Sequence, residues 1–147
     1  MSTLEQRQQK ILNNFADLND WDSKYKKIIE MGKSLPEFPE KHRTDDNKVK
    51  GCQSQVWLFA ELNQQGHVHF QGDSDALIVK GLVALLLELY SDLGPDEILA
   101  GSPEIFKTLG LNSQLSPSRS NGLSSMFKQI RNYALAFKIM LQSKNSL

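Results

Sequence analysis

The stretch from Gly72 to Gly94, GDSDALIVKGLVALLLELYSDLG, constrains the fold more than any other part of the chain. Ile78, Val79, Leu82, Leu85, Leu86 and Leu89 recur at helical spacing and make a wide apolar stripe that has to be covered. The helix is expected to lie across a sheet, with Gly81 on or beside the stripe letting the two backbones come close. At its start, Asp73 or Ser74 can accept hydrogen bonds from free backbone N–H groups, and Asp75 complements the positive end of the helix dipole.

The preceding segment offers the sheet. Val56, Leu58, Ala60 and Leu62 alternate with Gln55, Trp57, Phe59 and Glu61, and after the turn NQQG the alternation resumes from His67 to Gln71. A period of two on both sides of a short glycine-containing turn predicts a β-hairpin, ending at Gly72 and Asp73, with Trp57 as a packing anchor. Upstream, Leu4, Ile11, Leu12, Phe15 and Leu18, then Trp21, Tyr25, Ile28, Ile29 and Met31, predict helices. Gly32 is placed as a C-cap glycine, and SLPEFPEKHRTDDN, with Pro36 and Pro39, as a surface loop.

Downstream, two short helices are predicted around Pro95 to Ala100 and Pro103 to Leu109, each with Pro near its first turn. A last helix, capped by Ser116 or Ser118, carries Leu123, Met126, Phe127, Ile130, Tyr133, Ala134 and Phe137 at helical spacing. Beyond Lys138 a short, polar, frayed tail is expected. The order predicts an α+β fold: a small antiparallel, hairpin-based sheet with helices packed on one face. At 147 residues the chain suits a single domain, 1–147.

With 17 basic and 17 acidic residues the chain has no global field to draw in a polyanion, so nucleic acid is not expected as a partner. The apolar run from Leu82 to Leu87 is far short of the roughly 20 residues that span a bilayer, so no membrane partner is expected either. The opening MSTLEQRQQKILNNF lacks the basic and apolar regions of a secretory signal, and a single cysteine forms no internal disulfide. A cytoplasmic location is expected.

That cysteine, Cys52, follows Gly51 and precedes the polar Gln53 and Ser54, at the entrance to the first strand. A buried small hydrophobe and a reactive thiol are both open readings; a glycine-hinged polar loop exposes sulfur more easily than a core does. Reactivity needs thiolate or a partner base. Lys50 can favour thiolate or be a solvated lysine, and His67 and His69 can approach Cys52 or face solvent. One cysteine with His67 and His69 matches no zinc spacing, and a cluster needs several thiolates. Ser116, Ser118 and Arg119 read either as a capped helix start or as an anion-binding corner.

Three segments, VKGCQSQVW (Val49 to Trp57), GDSDALIVKGLVALLLELY (Gly72 to Tyr90) and LSPSRSNGL (Leu115 to Leu123), together resemble the SufE family of sulfur acceptors, which includes CsdE. WDSKYKKIIEMGKSLP (Trp21 to Pro36) is similar to the family's N-terminal helix, and the resemblance covers roughly residues 10 to 137. It implies a fold related to the cluster scaffold IscU, without that scaffold's metal-binding cysteines. It also implies a non-enzymatic accessory protein of a PLP-dependent cysteine desulfurase, SufS-like or CsdA-like, in iron–sulfur cluster assembly. Cys52 would take the outer sulfur of the desulfurase's persulfide, stimulate turnover, and pass the sulfur to a scaffold or other acceptor. No resident cofactor or metal is implied, since PLP belongs to the partner. On this resemblance Gly51 is the loop hinge, Gln53 and Ser54 are polar neighbours of the thiol, and Arg119 stabilises sulfur anion or docks the partner. Asp73, Ser74 and Asp75 are then partner contacts or helix caps.

Overall fold

The computed structural model describes residues 2–145. Two helices, α1 (Thr3–Phe15) and α2 (Trp21–Lys33), lead through two short 3-10 turns into the antiparallel pair β1 (Val56–Leu62) and β2 (Val68–Ser74). Five helices follow: α3 (Leu77–Tyr90), α4 (Pro95–Ala100), α5 (Glu104–Thr108), α6 (Leu111–Gln114) and the long α7 (Pro117–Asn145). The fold is thus α+β, a two-stranded sheet with helices packed on it. The register pairs Val56 with Ser74 and Leu62 with Val68, so Val56, Leu58 and Ala60 share a buried face with Phe70 and Val68.

Helix α3 is the centre of the core. Val83, Leu85, Leu86, Leu89 and Tyr90 are each fully buried, as a helix apolar nearly all round must be. It packs on β2, but its most intimate contact is with another helix. A Cβ on Gly32 would lie 2.7 Å from the Gly81 nitrogen, and one on Gly81 would overlap the Ile28 carbonyl. Gly81 therefore brings helix to helix, where the sequence suggests helix to sheet. Gly32 is not a C-cap; it lies inside α2, whose cap is Ser34, and it is there because no side chain fits against α3.

The segment expected as a surface loop is a strap over the outer face of the sheet. Phe38 is only 4% exposed, the His42 ring stacks on Phe59 with centroids 3.6 Å apart, and the Arg43 guanidinium lies 4.8 Å over Trp57. Trp57 is buried beneath it. One phenylalanine between prolines carries no periodicity, so nothing in the local sequence marks the strap as buried.

At the other end, α7 continues past Lys138 to Asn145, where a polar tail is expected; residues 146 and 147 of that tail lie outside the described residues. Its inner face, Met126, Ile130 and Ala134, is fully buried. Ser116 caps it by accepting a hydrogen bond from the Arg119 N–H at 3.4 Å, while Ser118 lies within the first turn. No helix among the described residues is long and apolar enough to cross a membrane.

Candidate functional site

Cys52 lies on the short irregular segment that links the strap to β1, and both ends of that segment are pinned. On the upstream side the Val49 N–H donates to the Val56 carbonyl at 2.8 Å. Gly51 then turns the chain with φ +89°, a left-handed conformation that costs glycine little and other residues more. There is also no room for a side chain, since a Cβ would sit 2.6 Å from Ser125 Oγ of α7. On the downstream side Ser74 Oγ donates to the Gln55 carbonyl at 2.8 Å, and the Asp75 carboxylate accepts from the Gln55 N–H at 3.0 Å. The segment is a tethered loop with a glycine pivot.

Between these anchors the thiol turns inward. Cys52 is half-buried, and its Sγ donates to the Gly122 carbonyl of α7 at 3.6 Å. Beside it opens a pocket of about 350 Å³. Gln53 and Ser54 line it from the loop, Val79 from α3, and Ser116, Ser118, Arg119, Gly122 and Met126 from the start of α7. Two sequence segments some 65 residues apart, VKGCQSQVW and LSPSRSNGL, thus form one site. The Arg119 guanidinium also lies 5.9 Å over the Tyr25 ring of α2.

Burial pushes the Cys52 thiol above its ordinary pKa, because a thiolate would be partly stripped of water. At rest the group is a protonated thiol. No imidazole lines the pocket. His69 pairs in register with Glu61, five residues along β1 from Val56, or about 17 Å at the rise of a strand, and binds the Asp92 carboxylate at 2.8 Å. His42 is stacked on the strap side of the sheet. A cysteine–histidine hydrolase therefore lacks its base in this geometry.

The acidic run splits by role. Asp73 faces the strap: it accepts from Arg43 at 2.9 Å and pairs with Lys80 at 3.3 Å. Burial alone would raise its carboxyl, but the hydrogen bonds from Arg43 and the Ser74 N–H, with the Lys80 charge, outweigh this and hold it below the usual range. Helix α3 begins at Leu77 with no side-chain cap bond; Ser74 Oγ accepts from the Ala76 N–H at 3.3 Å just before it, and Ser74 and Asp75 also hold Gln55. Lys50 turns away from the thiol pocket and lines a separate cleft.

Several contributors show no part in the site from sequence alone: Val79, Gly122 and Met126 in the pocket wall, Ser125 against Gly51, Gln55 as an anchor, and Arg43 over the sheet. The α7 members had a signal. Ser118, Gly122 and Met126 recur every four residues, so a helix starting at Pro117 puts them on one face beside Arg119. Among the described residues no three His, Cys, Asp or Glu side chains converge as a metal site would require.

Comparisons with known proteins bear on the family and the fold. The domain described as "SufE: Fe-S metabolism associated domain" matches residues 9–134. A curated relative from Rhizobium etli, described as an uncharacterized SufE-like protein, is 47% identical over 138 residues, covering 91% of this chain and 90% of its own. A solution structure of a hypothetical protein from Thermus thermophilus has a TM-score of 0.75, covering 90% of this chain and 96% of that one at 20% identity. At that identity the likeness speaks for the fold alone. With the domain matched from residue 9 to residue 134 and a 47% identical SufE-like relative along most of its length, the chain belongs to the SufE family, whose domain is associated with iron–sulfur metabolism.

Proposed function

We propose that this SufE-family protein is a sulfur carrier: Cys52 takes the outer sulfur of a persulfide held by a PLP-dependent cysteine desulfurase and hands it on for iron–sulfur cluster assembly. The observation that carries the reading is the setting of the thiol. The chain's only cysteine is half-buried on a glycine-pivoted loop, beside a 350 Å³ pocket bordered by Arg119 and without a base of its own. A self-sufficient thiol enzyme needs an activating group. A carrier needs only to be presented to chemistry housed elsewhere.

The exchange balances without an oxidant. Cys52 gives up its proton, its sulfur bonds to the outer sulfur of the donor persulfide, and the donor S–S bond breaks. The donor cysteine leaves with the electron pair as thiolate and takes up a proton. To be attacked from, Cys52 has to leave the Gly122 carbonyl, and the pocket has far more room than one added sulfur needs when it returns. Arg119, the pocket's cationic side chain, is placed to hold a sulfur anion or to meet the partner. Unloading the donor frees the desulfurase for another turnover, so the protein stimulates without being the catalyst. PLP stays with the desulfurase, SufS-like or CsdA-like, and a scaffold or other acceptor receives the sulfur. The reading places the protein in the cytoplasm, where a lone thiol stays reduced.

Intact mass spectrometry after incubation with a cysteine desulfurase, PLP and cysteine tests this. One added sulfur, about 32 Da, is expected on the wild type and not on Cys52→Ser. The variant is also expected to bind the desulfurase without raising its alanine output. Stimulation retained in Cys52→Ser would leave an adaptor acting by contact alone.

A further inference from the structure

A second cleft, of about 390 Å³, adjoins the Cys52 loop and shares no lining residue with the thiol pocket. Lys48, Lys50 and Lys128 line it with the neutral donors Ser125, Gln129 and Asn132, and with Asp46. Lys48 is paired with Asp45 at 3.3 Å, whereas exposed Lys50 and Lys128 have no ion-pair partner among the described residues. The chain as a whole is neutral, so this positive excess is local. It also borders the pivot, because Ser125 is the residue that a Gly51 Cβ would strike.

We propose that this cleft docks an acidic surface segment of the sulfur-donor protein, with carboxylates facing Lys50 and Lys128 and a cation facing Asp46. The inference rests on the sulfur-carrier reading in one respect: Lys50 is two residues from Cys52, so a protein that presents a persulfide to Cys52 covers the cleft as well. The chemistry favours carboxylates on a protein over phosphate. The cleft has no guanidinium fork to hold a phosphate in fixed geometry; its ammonium groups are point charges on flexible stems. Asp45 and Asp46 at its edge oppose a dense polyanion such as RNA. Exposed charges of this kind act mainly on encounter and on salt dependence.

The test is direct binding to the desulfurase without cysteine present, so that no sulfur moves, at low and high NaCl. For the wild type, affinity is expected to fall with salt. For Lys50→Glu/Lys128→Glu, affinity at low salt is expected to drop about tenfold or more, with the salt dependence flattened or reversed. Lys107→Glu, on α5, should stay within about twofold of the wild type, as a surface charge outside the interface does. An unchanged affinity and salt response in the double variant, or no measurable binding by the wild type, overturns the proposal. So does displacement of the desulfurase by inorganic phosphate or a short RNA beyond the effect of NaCl at equal ionic strength. Sulfur uptake by the wild type is scored separately by intact mass. Uptake with no binding change in the double variant sinks the docking proposal alone, and no uptake with a charge-sensitive affinity sinks the carrier reading alone.

Discussion

The Asp75 carboxylate accepts from the Gln55 N–H at 3.0 Å while the Asp75 N–H donates to the Gln55 carbonyl at 3.3 Å, so one residue closes on both backbone polar groups of the other. Gln55 is where the Cys52 loop ends and β1 begins. The pair therefore sets how far the loop can swing. Asp75→Ala removes the charge-assisted bond and leaves the N–H to water, at a stability cost of about 1 kcal/mol because the site is exposed. The thiol should then react faster with iodoacetamide, and amides 51–55 should exchange faster. Unchanged alkylation and exchange would show that the Ser74 hydroxyl and the Asp75 N–H, both on the Gln55 carbonyl, suffice to hold the loop.

The thiol itself should betray its burial. Because desolvation raises the Cys52 pKa, the thiolate fraction at neutral pH is smaller than in an unfolded chain. The alkylation rate of the native protein should rise with pH to a midpoint above the ordinary thiol value of about 8.5, and the denatured protein should titrate at that ordinary value. A native midpoint below it would mean that a cation, and not burial, governs the sulfur.

Asp73 ties the strap, β2 and α3 together, and its effect has a definite pH sign. Its folded pKa is depressed, so the stability it contributes is fully present above the unfolded value of about 3.9 and is lost as pH falls through the lower folded value. In denaturant titrations the wild type should exceed Asp73→Asn in stability at pH 6. The gap should narrow progressively below about pH 4 and close once the pH lies under the folded value, where both carry a neutral side chain. A constant gap down to pH 2 would assign the loss to hydrogen-bond geometry alone.

Arg119 separates capping from chemistry. Its backbone N–H, not its guanidinium, meets Ser116 Oγ, so Arg119→Ala keeps the cap and loses only the side chain over Tyr25. The variant should melt near the wild-type temperature, with persulfide transfer to Cys52 slowed about tenfold or more by loss of a charge near the sulfur. Equal transfer rates would leave the guanidinium a surface contact to Tyr25.

What could be read before the fold was known follows a physical division. The hairpin and α3 were legible because Val56, Leu58 and Ala60, and then Ile78, Leu82 and Leu85, display the two backbone periods directly. Gly32 is ambiguous in sequence because a glycine near the end of a helical pattern has the same local signature whether it caps or packs. Only Gly81, 49 residues away, distinguishes the two. The strap is illegible in sequence for a similar reason: Phe38, His42 and Arg43 show no period, and the partners Phe59 and Trp57 lie in another element. Cys52 and Arg119 each stood out locally, yet that they share a pocket is a consequence of α7 lying beside the β1 entrance.

Gly51 offers the sharpest check on that placement, since it combines a local and a tertiary demand. At φ +89° a side chain costs about 1–2 kcal/mol whatever the surroundings, and the 2.6 Å approach of Ser125 Oγ adds an overlap that only α7 imposes. Gly51→Ala should therefore destabilise the protein by more than the backbone cost alone. Ser125→Ala removes the obstructing oxygen, so the double variant should recover the overlap and keep the backbone cost, a positive coupling between the two sites in denaturant unfolding. If the loop evades the clash by swinging outward, Gly51→Ala keeps its stability and Cys52 loses its contact with Gly122, which faster alkylation would report. Strict additivity with unchanged alkylation is the one result that would put Gly51 away from α7 in solution.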